Sequence, residues 1–267
     1  MTDNILDEIV EQKRDTLQQQ KQDESLASLQ SRLSQPVQAQ FQDALQAEDT
    51  LSLIAEIKPE APSSGTITNL PAVEIATVYQ EEAPAAVSVL TDEPYFNQGL
   101  QELRRVQSVL TKPILRKDFI IDEYQVYQSA VFGADAILLI ASILTPDQMK
   151  YLHQVAEDLG LDVLVEIHSR EEFKSLPFRP SLLGINNRTL EGDFSTDLFV
   201  TEQLVEEIPD SVTLVSESGI HSREDVERLS QLETLDAILV GTSLLKDHST
   251  PDDIRRKIRG LMAKEEK

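Results

Sequence analysis

Lys117 stands at the end of a short apolar run, Pro113-Ile114-Leu115, after Arg116 and before Asp118-Phe119. A strand buried on both faces reads as such a run. A lysine at its carboxyl end is then held by a rigid element at the rim of a core; the plain alternative is a solvated lysine just past a strand. Glu166, inside Val163-Leu164-Val165-Glu166-Ile167, is harder to explain structurally. A carboxylate in a hydrophobic run is costly unless it is paired or faces a site. Glu56 and Lys58 close the run from Leu51 to Ile57, and Asn186, Asn187 and Arg188 follow Leu182–Ile185. Glu56, between Ala55 and Ile57, could belong to the exposed face of a half-buried strand, and Asn187 and Arg188 could be loop residues. Together, however, two carboxylates, two lysines and an asparagine at strand ends are equipped to move protons on a polar substrate. Glu217-Ser218-Gly219 and Gly241-Thr242-Ser243 place a glycine and a hydroxyl after two further runs. Glycine lets an anion approach the backbone, and N–H groups at a helix start attract it, so these segments suit a phosphate.

The elements that must position these residues repeat. Apolar, β-rich runs cover 51–57, 86–91, 113–115, 136–140, 163–167, 182–185, 212–215 and 237–240. Their spacing of roughly 26 residues is what one βα unit needs. Helical periodicity covers 72–82, 100–110, 123–132, 145–159, 169–176, 197–208 and 222–229. Thr145-Pro146 and Ser222 through Asp225 are helix starts, and Gly133 and Gly160 sit where helices should end. Eight such units predict an α/β fold, a (β/α)8 TIM barrel spanning 49–267, with the candidate residues converging at its mouth. The alternative, a doubly wound open sheet, lacks its Gly-rich first turn. Residues 1–48 differ: Ile5, Leu6, Ile9 and Val10 form one helical stripe, Leu26, Leu29 and Leu33 another, and Val37, Phe41 and Leu45 a third after Pro36. They predict an N-terminal helical extension, either packed outside the core or acting as a flap on the barrel mouth.

The chain has 267 residues, 40% hydrophobic and 27% charged, which is enough for a full core. No apolar run is long enough to span a bilayer and the N-terminus does not resemble a signal peptide. With no cysteine there is no disulfide framework or thiolate metal site; a cytoplasmic location is the default expectation. The net charge of -23 disfavours nucleic acid and anionic membrane surfaces as partners. It leaves room for a small anionic substrate, because salt screens the global field within about 8 Å.

Several stretches resemble indole-3-glycerol phosphate synthases: Ile54-Ala55-Glu56-Ile57-Lys58 with Pro62-Ser63 and Gly65, Ser88-Val89-Leu90-Thr91 with Phe96, Pro113 through Ile120, and Gly133 through Ala136. Val165-Glu166-Ile167-His168, Gly184 through Arg188, Glu217 through Ile220 and Gly241 through Leu244 continue the match through all eight units. The resemblance implies decarboxylating, dehydrating ring closure of 1-(2-carboxyphenylamino)-1-deoxyribulose 5-phosphate to indole-3-glycerol phosphate, in tryptophan biosynthesis. It implies no metal and no organic cofactor, and other tryptophan-pathway enzymes as possible partners. Lys117 would be the general acid and Lys58 would pair with the carboxylate that is lost. Glu166 and Glu56 would be the acid/base and orienting groups, in an order left open, and Asn186 and Glu217 would position substrate hydroxyls. Ser63, Arg188, Ser218, Gly219, Gly241 and Thr242 would bind substrate, largely its phosphate, and Phe96, Phe119 and Leu138 would wall the aromatic ring.

The first loop departs from the family pattern. Lys58-Pro59-Glu60-Ala61 stands where a basic pair and a serine are usual. A missing hydroxyl contact would cost about 1–2 kcal/mol of phosphate binding, and Glu60 near a dianion would add repulsion. Two other readings stay open: another phosphosugar barrel, such as a phosphoribosylanthranilate isomerase, and a barrel that binds without turnover.

Overall fold

A computed structural model describes residues 5–47, 50–61, 65–189 and 195–262. Ser63 lies outside these residues. The extension forms α1 (Ile5–Asp23), α2 (Leu26–Arg32) and α3 (Phe41–Leu45). Then come β1 (Ser52–Ile57), a small hairpin of β2 (Glu60–Ala61) and β3 (Gly65–Thr66), α4 (Ala72–Glu82), β4 (Ala86–Leu90), α5 (Glu93–Phe96) and α6 (Leu100–Gln107). The middle units are β5 (Ile114–Lys117), α7 (Glu123–Phe132), β6 (Ala136–Ile140), α8 (Pro146–Asp158), β7 (Asp162–Ile167), α9 (Arg170–Ser175), β8 (Leu182–Asn186) and α10 (Phe199–Val205). The last are β9 (Thr213–Glu217), α11 (Arg223–Leu229), β10 (Ala237–Val240), α12 (Thr242–Leu245) and α13 (Pro251–Met262).

Eight strands close into a parallel barrel in the order β1-β10-β9-β8-β7-β6-β5-β4. Closure is made by β1, whose Ser52 registers with Ala237 of β10 and whose Ile54 registers with Ala86 of β4. That rules out the open sheet. Most element boundaries shift by a few residues from the sequence reading, and two differences bear on the argument. The strand β5 runs on through Arg116 and Lys117, because Arg116 is neutralised inside the fold and Lys117 pairs in register with Leu90 of β4. After the eighth strand, α13 buries Ile254, Ile258 and Leu261 and packs on α4 and α11; this helix was not among those expected.

Period-two alternation sorts the strand side chains. Ile54, Ala86, Leu115, Ala136, Leu164, Leu182, Val215 and Ala237 form one buried cluster inside the barrel. Their neighbours, such as Ala55, Val87, Ile137 and Leu183, join the larger cluster that the outer helices cover. Counting by twos from the interior set reaches Glu56, Lys117, Leu138, Glu166, Asn186 and Glu217, so all six point inward near the carboxyl ends.

The extension serves both ends of the barrel. Phe41 and Leu45 of α3 pack into the interior cluster. There the Gln42 amide donates to Asp162 Oδ2 (3.0 Å), and its side chain donates to Thr213 Oγ1 (2.9 Å), at the first residues of β7 and β9. At the opposite end, Leu6 and Ile9 of α1 line the mouth cavity. Between the two, Leu29 of α2 packs on Tyr124 of α7. Among the described residues no helix is long and apolar enough to cross a membrane.

Candidate active site

The mouth cavity brings together all the described candidates: Glu56, Lys58, Phe96, Lys117, Phe119, Leu138, Glu166, Asn186, Arg188, Glu217, Ser218, Gly219, Gly241 and Thr242. Lys117 is its electrostatic centre. Its ammonium donates to Glu166 Oε2 at 2.9 Å and stands 3.3 Å from Glu217 Oε2. Beside it Lys58 Nζ pairs with Glu56 Oε1 at 2.9 Å. Burial alone would pull the Lys117 amine down, but Glu166, Glu217 and Glu56 hold it well above the usual lysine value. Burial likewise pushes the Glu166 carboxyl up, yet Lys117 and His168 outweigh it, together with hydrogen bonds from Lys117 and Asn186, and hold it at about 2. Glu217 goes the other way: burial, with the charges of Glu166 and Glu56, pushes it up to about 8 against the pull of Lys117. At neutral pH the centre is therefore an ammonium, one carboxylate and one protonated carboxyl group.

Two glycines make this arrangement sterically possible. A Cβ on Gly184 of β8 would lie 2.2 Å from Glu217 Oε1, and one on Gly241 would lie 2.4 Å from Glu56 Oε1. Each glutamate side chain thus occupies the volume that the facing residue gives up.

The Glu217 shift sets a pH dependence of stability. Its carboxyl is protonated in the folded chain up to about pH 8 but ionises near 4.3 when unfolded. Folding therefore takes up a proton between these values, and stability falls as pH rises through that window. Glu217→Gln lacks this loss. We expect its melting temperature to exceed the parent's at pH 8.5, with the advantage disappearing at pH 4.5; equal differences at both pH values would refute the shifted carboxyl.

On one wall Phe96 and Phe119 stack with ring centroids 6.5 Å apart and planes at 26°, and Leu138 stands with them on the lining. Leu6, Ile9, Ile140 and Leu239 extend the apolar surface. Opposite, Ser218 (φ 67°) and Gly219 (φ 80°) are both left-handed, turning the chain sharply after β9. Ser243 Oγ donates to Ile220 O at 2.8 Å, tying this turn to the one after β10. In the first loop Glu60 Oε1 accepts a hydrogen bond from Asn97 Nδ2 (3.0 Å), which joins the hairpin to the end of α5.

Two features next to Lys117 escaped the sequence reading. His168 also lines the cavity, two residues after Glu166 and on the same face. The other is a buried ionic cluster behind the wall. Lys13 of α1 lies 2.6 Å from Asp92 and 2.7 Å from Asp118. The second oxygen of Asp118 accepts from Thr91 Oγ1 and Arg116 (2.7 and 2.8 Å), while Arg116 also donates to Gln125 O and Ser129 Oγ. Asp118 Oδ1 takes the amide of Phe119 at 2.8 Å. The cluster therefore fixes α1 against the segment that carries both Lys117 and Phe119.

A family model described as indole-3-glycerol phosphate synthase matches residues 6–258. An indole-3-glycerol phosphate synthase of a Thermoanaerobacter species is 41% identical over 244 residues, covering 91% of this chain and 92% of the relative. Those of Desulforamulus reducens and Bacteroides thetaiotaomicron are each 38% identical, covering 97% of this chain and 97% and 99% of themselves. Among solved structures, the tryptophan synthase complex of Pyrococcus furiosus aligns with a TM-score of 0.59 at 13% identity, over 79% of this chain and 98% of that one. KGPDC from Streptococcus mutans aligns with a TM-score of 0.57 at 15% identity, over 79% and 95%. At such identities these structures show a shared barrel fold.

Proposed function

The chain belongs to the indole-3-glycerol phosphate synthase family, and from that premise we propose how its mouth closes the indole ring. The observation that carries the reading is Lys117 held between Glu166 and Glu217, in one cavity with the Lys58–Glu56 pair.

The substrate is a carboxyphenylamino-deoxyribulose phosphate. Its phosphate rests on Ser218-Gly219 and Gly241-Thr242, its aromatic ring lies against Phe96, Phe119 and Leu138, and Lys58 pairs with the ring carboxylate. The ring carbon bearing that carboxylate attacks the ketone. As the bond forms, the ketone oxygen becomes alkoxide-like and more basic than an amine, so Lys117 gives it a proton despite the Glu166 and Glu56 carboxylates that favour the ammonium. Loss of CO2 restores aromaticity. Lys117, recharged by then, gives a second proton to the new hydroxyl, which leaves as water, while Glu166 removes one proton from the forming ring. Glu166 suits this role because its low basicity depends on Lys117; once the ammonium has given up its proton, the carboxylate beside it becomes a stronger base. Glu56 is already occupied with Lys58 and orients it. Asn186 and the protonated Glu217 hold substrate hydroxyls.

Purified protein mixed with the substrate is expected to generate the indole chromophore; binding without turnover would refute the synthase reading. Ala61→Ser, which supplies the hydroxyl usual in the family's first loop, is expected to lower KM severalfold, the scale of one hydrogen bond of about 1 kcal/mol, with kcat unchanged. An unaltered KM would mean that position 61 does not touch phosphate.

A further inference from the structure

The proposed reaction consumes a proton, and its two catalytic groups are buried. The ketone oxygen leaves as water and so takes up two protons. The substrate gives back only one, from the forming ring, because its carboxylate departs as CO2 without a proton. Each turnover therefore draws one proton from solvent, and Lys117 must regain two.

His168 occupies the place from which that proton can be delivered. Its side chain is only 9% exposed, it lines the cavity, and neither ring nitrogen makes a well-aligned hydrogen bond among the described residues. Nε2 lies 3.4 Å from Glu166 Oε1, the oxygen that does not face Lys117 Nζ, and Nδ1 lies 3.4 Å from Glu172 Oε2. The Glu172 carboxylate is 24% exposed and accepts the His168 amide at 2.7 Å. The groups facing the imidazole are Glu166 on β7, Glu172 on α9 and, further off, Glu217 on β9, with Lys117 beyond Glu166. Burial would lower the imidazole's proton affinity, but these carboxylates raise it above the usual value.

We infer that His168, backed by Glu172, is a relay that returns the net solvent proton to Lys117 through Glu166. The inference rests on the roles proposed above for Lys117 and Glu166. After ring closure and loss of CO2 Lys117 is a neutral amine, one proton short. The imidazolium passes its Nε2 proton to the Glu166 carboxylate, which passes a proton to the amine, so that Lys117 can protonate the leaving hydroxyl; neutral His168 is recharged from solvent beside Glu172. On dehydration Glu166 takes the ring proton and hands it to Lys117, which ends the turnover as the ammonium. His168 acts through Glu166 and does not touch the substrate.

The demand falls after CO2 has left, so the relay should limit kcat and spare kcat/KM. We expect His168→Asn to lower kcat about tenfold at pH 8, the lower scale of proton-transfer effects, to increase the solvent deuterium effect on kcat, and to leave kcat/KM within about twofold. Added imidazole should restore turnover of His168→Ala with saturation. Glu172→Gln keeps the acceptor for the His168 amide but loses the anion, and should move the alkaline limb of the kcat profile to lower pH. Should His168→Asn fail to fold, Glu172→Gln carries the test alone. Equal losses in kcat and kcat/KM, with no change in pH profile and no rescue by imidazole, would make His168 structural and overturn the relay. If Lys117→Ala stays active, the underlying reading fails instead. If Lys117→Ala is inactive while both relay variants keep the parent profile, only the relay fails.

Discussion

Lys117→Ala is expected to lower kcat by at least about 100-fold while the barrel stays folded, the scale of a removed general acid. Its side chain is one of the few cationic groups on the interior face, and three glutamates converge on it. Removing it also leaves Glu166 and Glu217 facing each other across a buried gap. Without the Lys117 charge and hydrogen bond, Glu166 should rise from about 2 toward or above the ordinary range, so the proposed base is partly protonated and a second contribution is lost. KM should change far less, because in the proposed reading phosphate and ring are held by other residues. Steady-state assay beside circular dichroism separates the two effects: near-parental turnover would remove Lys117 from the chemistry, and an unfolded variant would show a structural role instead.

Lys13→Met should destabilise the protein by about 3–5 kcal/mol, the cost of taking one partner from a buried ion cluster. The loss leaves Asp92 and Asp118, both with side chains 1% exposed, without the cation between them; Arg116 reaches only Asp118. Denaturant unfolding measures this, and a change below about 1 kcal/mol, typical of an exposed pair, would mean that the cluster is not dry. The effect should depend on pH in a defined sense. Burial opposes ionisation of Asp118, but Lys13 and Arg116 hold its carboxyl well below the usual range. Such a group stabilises the fold above its unfolded pKa of about 3.9 and loses that contribution as pH falls through the folded value. The parent should therefore lose more on acidification than the variant, and the gap between them should narrow below pH 4. Because α1 brings Leu6 and Ile9 to the cavity, KM should rise as well.

Much of this was legible in the chain and some was not, for physical reasons. A barrel strand writes its face into alternate residues, so Glu56, Glu166 and Glu217 could be placed at the rim without coordinates. The same counting reaches His168, which was passed over because a histidine beside a loop carries no local mark of burial. Lys13 sits in a polar helix with Glu11, Gln12, Arg14 and Asp15 around it. Its partners are distant in sequence, Asp118 by 105 residues, and no periodicity reports that. The room that Gly184 and Gly241 give to two glutamates depends on register between neighbouring strands, which a single strand does not encode. The helix α13 was missed because the reading of repeats stopped at the eighth strand, although Ile254, Ile258 and Leu261 follow helical spacing.

The closing seam between β1 and β10 also has a consequence for biogenesis. Residues 52–55 find their partners only at 237–240, so on the ribosome β1 keeps one edge open until those residues, more than 180 positions later, have been made. An unpaired apolar strand of this kind invites pairing with other chains. The nascent molecules, however, carry a strong surplus of negative charge, with 47 acidic residues against 24 basic ones. Like charge keeps such chains apart, and the acidity of the sequence then protects the protein during the interval in which its barrel cannot yet close.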